Sequence, residues 1–91
     1  MNATADIPTA HASKYLQQLC KHWAHKLAVE FDPQDGKIGF DIGEARLHAD
    51  AETLKLTVEA PEAEQLDRLK DVVERHLVRF AFREELAITW H

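Results

Sequence analysis

The chain predicts an α+β domain with two helices packed on one face of a mainly antiparallel sheet, in the order α-β-β-β-β-α-β. Three observations lead there. Two long segments, near residues 12–27 and 61–80, carry apolar side chains at helical spacing. Between them, short runs alternate apolar and polar residues and are separated by turn residues. Each alternating run is apolar on one side only, so two helical stripes and one sheet face can close a single core. With 91 residues the chain holds one domain, residues 1–91, and one modest core.

Met1 to Pro8 is short, polar and rich in small residues. It is expected to be a loose leader that adds at most a few residues to a sheet edge. Thr9 is a good helix N-cap, and Ser13 is a second. From there Ala12, Tyr15, Leu16, Leu19, Cys20, Trp23 and Leu27 fall on one arc of a helix. The opposite arc carries His11, Lys14, Gln18, Lys21, His22 and His25, a basic and histidine-rich face.

Val29 to Phe31 alternates as a short strand and runs into Asp32-Pro33-Gln34-Asp35-Gly36, a turn by composition. Ile38, Phe40 and Ile42 mark a second strand, Gly43-Glu44 a tight turn, Ala45 to Ala49 a third strand, and Leu54 to Val58 a fourth. Pro61, Glu62 and Glu64 suit a helix start. Leu66, Leu69, Val73, Leu77 and Phe80 form the second apolar stripe, with Val72 and His76 on its shoulder. Leu86, Ile88 and Trp90 alternate with Ala87 and Thr89 as a last strand. That strand returns either beside the Val29–Phe31 strand, for the order 5-1-2-3-4, or beside the fourth strand in parallel. The uncovered sheet face, with Asp41, Arg46, His48, Lys55, Thr57, Thr89 and His91, is expected to be wet or to form an interface.

The formal net charge of −5 excludes nucleic-acid binding through a general cationic surface. A single cysteine closes no internal disulfide. No run is apolar enough to span a membrane, and the N-terminus has no basic segment followed by an apolar stretch. A cytoplasmic location is the expectation. There is no glycine-rich phosphate loop, no Gly-x-Ser-x-Gly and no His-Glu-x-x-His, so catalysis has little support.

Two long motifs carry a family likeness. Ser13-Lys14-Tyr15-Leu16-Gln17-Gln18-Leu19-Cys20-Lys21-His22-Trp23-Ala24-His25-Lys26 is the first. Val73-Glu74-Arg75-His76-Leu77-Val78-Arg79-Phe80-Ala81-Phe82-Arg83-Glu84, with Thr89-Trp90, is the second. Over roughly residues 10–91 the chain resembles a bacterial family of small proteins termed domain of unknown function 2218. The family has no established activity. Similar segments occur beside, or joined to, flavin-dependent siderophore-interacting proteins, so the resemblance implies an accessory role in siderophore-iron handling.

Cys20, His22 and His25 have ligand-type side chains. On a helix of 3.6 residues per turn, Cys20 lies about 160° from His22 and about 140° from His25, so it points to the core. His22 and His25, at i and i+3, are the candidate metal ligands. Trp23 and Trp90 fall on apolar stripes. Lys14, Lys21, His22, His25 and Lys26, with Arg79 and Arg83, are the candidates for a basic patch that takes a protein partner or an anionic iron chelate. Two functions stand side by side. One is a binding or adaptor module using that patch. The other is a small metal-binding or redox-type enzyme using His22 and His25, with His48, His76 or His91. The one-sided sheet also makes a homodimer an expectation.

Overall fold

A computed structural model describes residues 1–91. The elements run β1 (Asn2–Pro8), α1 (Ala12–Trp23), β2 (Ala28–Phe31), β3 (Asp35–Phe40), β4 (Gly43–Ala49), β5 (Thr53–Glu59) and α2 (Ala63–Phe80). The α+β class stands, with both helices on one face of an antiparallel sheet. The order of elements is β-α-β-β-β-β-α instead of α-β-β-β-β-α-β.

The N-terminal segment is the main correction. Asn2–Pro8 is a full edge strand paired antiparallel with β5, Ala5 opposite Leu56 and Ile7 opposite Leu54. Ala3, Ala5 and Ile7 are all buried. Alanines alternate with polar residues here, and a core-facing alanine is hard to tell from a small loop residue. What makes it a strand is the neighbouring backbone of β5.

That strand takes a place beside β5, so the sheet order is β1-β5-β4-β3-β2. The C-terminal segment does not become a further strand beside β2 or β5. It runs extended, with Leu86, Ile88 and Trp90 half-buried against the core. It touches the sheet backbone only at its end, where Thr4 N–H donates to His91 O (2.8 Å) and His91 N–H donates to Thr4 O (2.9 Å). Trp90 Nε1–H donates to Glu74 on α2 at 2.9 Å.

The meander follows the alternation in the sequence. β2, β3, β4 and β5 pair in succession, all antiparallel. Ile38, Ala45, Leu47, Ala49, Leu54, Leu56 and Val58 face the helices and are buried. The tight turn precedes Gly43. A Cβ at Gly43 would lie 2.1 Å from the Glu59 carbonyl oxygen, so only glycine allows β4 to begin so close to the end of β5.

α1 buries Ala12, Tyr15, Leu16, Leu19, Cys20 and Trp23, the stripe that the spacing predicts. It begins two residues later than a Thr9 cap would place it: His11 is the N-cap residue. Thr9 is itself buried. Its hydroxyl accepts from His11 N–H (3.1 Å) and donates to the Glu84 carboxylate (3.1 Å), which also accepts from the Tyr15 hydroxyl. Glu84 thereby ties the segment after α2 to the start of α1. Burial and this carboxylate push the Tyr15 phenol up to about 12.

β1 and β2 are at opposite edges, so α1 crosses the sheet between them. It lies over β2, β3 and β4, while α2 covers β4, β5 and β1. Leu66, Leu69, Val73 and Leu77 anchor α2. Burial of a leucine of this kind stabilises by about 1.5–3 kcal/mol. The helices meet along one side, and their contact forms the corner described next.

Candidate functional site

The C-terminal ends of both helices contribute to one corner. α1 stops at Trp23, and Ala24 to Lys26 form a turn in which Lys26 N–H (3.0 Å) and Leu27 N–H (2.8 Å) both donate to Trp23 O. His25 therefore sits in the turn that closes the helix, still close enough to His22 to bear on its charge. No group of three His, Cys, Asp or Glu side chains is placed to hold a metal ion.

The ring beside His22 comes from the other helix. His22 and His76 pack against each other with centroids 4.9 Å apart and planes tilted by 48°. Trp23 lies 5.2 Å from His22 and 4.7 Å from His76, and Phe80 lies 5.7 Å from His22. Beneath them Phe40 of β3 packs edge-on against Trp23 at 5.1 Å. His76 is half-buried, and its Nδ1 lies 2.7 Å from the Val72 carbonyl. A carbonyl only accepts, so Nδ1 carries the proton and Nε2 keeps its lone pair free.

Charge in the corner has one sign. The pKa of His22 is lowered by desolvation first, then by His76, Lys26, His25 and Arg79. No carboxylate opposes them. Lys26, Arg79 and Arg83 form no ion pair, and neither do Lys14 and Lys21. Arg83 lies over the ring of Phe82 (5.4 Å), the most exposed large hydrophobic side chain at 77%.

The seven predicted patch residues, Lys26 among them, thus divide. His22, His25, Lys26 and Arg79 come together, and Arg83 stands just past the end of α2. Lys14 and Lys21 lie on the outermost edge of α1, about 80–100° around the helix from His22, and do not join the corner. His76 and Phe80 complete it. His76 was legible on the shoulder of the α2 stripe and Phe80 on the stripe itself, but neither as a partner of His22.

Cys20 is fully buried, and burial pushes its thiol up to about 11, so it has no thiolate to offer at neutral pH. The uncovered sheet face carries an open groove of about 860 Å³. Its floor is made by cross-strand rows, Glu30–Lys37–Arg46–Thr57 and Asp35–His48–Lys55. Here the charges are largely matched. Glu44 holds Arg46 (2.8 Å) and Lys37 (3.4 Å), and Asp35 holds His48 Nδ1 at 2.7 Å. The hydrogen bond from Arg46 lowers the Glu44 pKa.

A family-wide comparison matches residues 4–91 to domain of unknown function 2218, described as an uncharacterised protein conserved in bacteria. The chain belongs to this family. Among solved structures, this DUF2218 domain is similar to the NMR structure of PA4090 from Pseudomonas aeruginosa. The two are 34% identical with a TM-score of 0.83, over 99% of this chain and 94% of that one. No curated protein matches the chain. No helix of this DUF2218 domain is long and apolar enough to cross a membrane.

Proposed function

We propose that this DUF2218 domain is a cytoplasmic binding module that holds an acidic partner protein at the corner where α1 meets the end of α2. One observation carries the reading: His25, Lys26, His76 and Arg79 all bear on His22 with no carboxylate among them, in a chain of net charge −5. Charges that serve the fold are normally paired or dispersed, and a cluster of one sign in an acidic protein raises the local concentration of anionic groups. The exposed Phe82 beside Arg83 adds an aromatic and arginine contact of the kind that anchors protein interfaces. An anionic iron chelate, the ligand that the siderophore association implies, is a narrower form of the same reading and would use the same cations.

Fluorescence anisotropy with a labelled peptide of alternating glutamate and leucine tests the reading. The wild type binds it, and Lys26→Glu/Arg79→Glu weakens binding at least about tenfold, the equivalent of about 1.4 kcal/mol. Equal affinity of the two proteins would sink the proposal. A ferric catecholate added as competitor separates the narrower form: it displaces the peptide only if the chelate shares the corner.

A further inference from the structure

The packed imidazoles at the centre of the corner define which group of the partner is held and when. His22 and His76 come from different helices, with centroids 4.9 Å apart, and both rest against the indole of Trp23. The Val72 carbonyl orients His76 and leaves its Nε2 available. The groups bearing on His22 are all cations or imidazoles: His76 and Arg79 from α2, Lys26 and His25 from the turn after α1. Glu74, two residues before His76 on α2, is engaged by the Trp90 indole N–H at 2.9 Å. From the sheet below, Phe40 meets Trp23 and brings no charge. A proton added to either imidazole therefore arrives where positive charge is already in excess. The lowered pKa of His22 follows from desolvation beside the packed rings and from that excess.

We propose that the His22–His76 pair is the seat for a carboxylate of the acidic partner, and that docking takes up a proton, so the partner is held more tightly as pH falls. The inference rests on the corner being the docking surface. A carboxylate placed among these side chains reverses the local balance, because each cation that opposed the proton now faces an anion. Protonated His22 offers two N–H donors instead of one, and protonated His76 gains a donor at Nε2. By linkage, uptake of one whole proton per complex tightens binding about tenfold for each unit of falling pH. Glutamate side chains of the partner stay ionised over the range in which imidazoles titrate.

The test measures the affinity of the glutamate–leucine peptide from about pH 8 to about pH 6, across the ordinary imidazole range. The wild type tightens progressively. His22→Gln/His76→Gln binds with a flat pH profile, while Arg79→Gln weakens binding at every pH and keeps the slope. His48→Gln, on the far face of the sheet, changes neither. Because the double variant removes two packed rings, its thermal midpoint is checked, and proton NMR of the wild-type histidines supplies an independent reading. Addition of the peptide raises the titration midpoints of His22 and His76 and leaves that of His48 in place. Binding without pH dependence overturns this inference and leaves the docking surface standing, as does a slope that survives in the double variant. Absence of binding at every pH overturns both.

Discussion

The two faces of the molecule treat their cations in opposite ways. On the open sheet face Lys37 and Arg46 share Glu44, His48 is held by Asp35, and His91 lies 3.8 Å from Asp6. Only Lys55 there has no ion-pair partner within the chain. At the helix corner Lys26 and Arg79 have none, and the imidazoles pack against each other and, for His22, edge-on against aromatic rings. The sheet face carries an open groove, yet its charges largely satisfy one another. At the corner the charge is uncompensated. Size of a groove and readiness to bind are thus separate properties, and the second depends on what the side chains have left unpaired.

That contrast can be broken most forcefully from below. Leu77 is fully buried under the end of α2, and Leu77→Ala is expected to cost about 2–5 kcal/mol by urea denaturation. Peptide binding should fall with it, because the platform beneath His76 and Arg79 loosens. A smaller and more local test lies under the sheet. A Cβ at Gly36 would lie 2.7 Å from Cys20 Sγ, so Gly36→Ala should destabilise by about 1–3 kcal/mol through overpacking. Cys20→Ala in the same chain should recover most of that loss. No recovery would mean that the thiol is not the obstacle.

Charge changes should act on the two faces in opposite ways. Lys26→Glu/Arg79→Glu is expected to abolish most peptide binding while the thermal midpoint barely moves, since neither cation holds an ion pair. Arg46→Gln is expected to leave binding unchanged and lower the midpoint slightly, since an exposed ion pair contributes little. If Arg46→Gln impaired binding as much as the corner variant, the assignment of the two faces would be reversed.

The smallest effect is the pH dependence of stability. The pKa of His22 is lowered in the folded state, so on acidification the unfolded chain takes up the proton first. Stability attached to His22 is present above the ordinary histidine pKa and is lost as pH falls through the lowered one. The thermal midpoint should decline over that window, and less steeply in His22→Gln.

Most of the fold was legible because its signal is local. The α1 stripe, the α2 stripe and the alternation of β4 and β5 each repeat within a few residues, and each was buried as its period required; in β3 only Ile38 is fully buried, with Phe40 half-buried and Ile42 in the turn beyond the strand. Two segments escaped. Asn2–Pro8 carries its buried positions as two alanines and one isoleucine, too little contrast to mark a strand. Residues 86–90 carry the contrast but lack the neighbour, because β1 already occupies the place beside β5 and only His91 reaches β1. The site divides in the same way. That Cys20 and Trp23 face the core while His22 faces outward follows from helical angles. That α1 ends at Trp23, and leaves His25 in the turn that follows, is set by that turn.

Periodicity within one chain segment decides which side chains share a face, and here it separated the core of α1 from its cationic surface. Meeting between segments is another matter. His22 and His76 are far apart in sequence, and they meet because α1 crosses the sheet and comes to rest against the C-terminal half of α2. The pairing of Lys37 and Arg46 with one glutamate is likewise a property of strand register. Local spacing costs and gains free energy one turn at a time, so it is written along the chain. Which charges end up compensated depends on the packing of distant elements, and that is where the difference between the open sheet face and the corner arises.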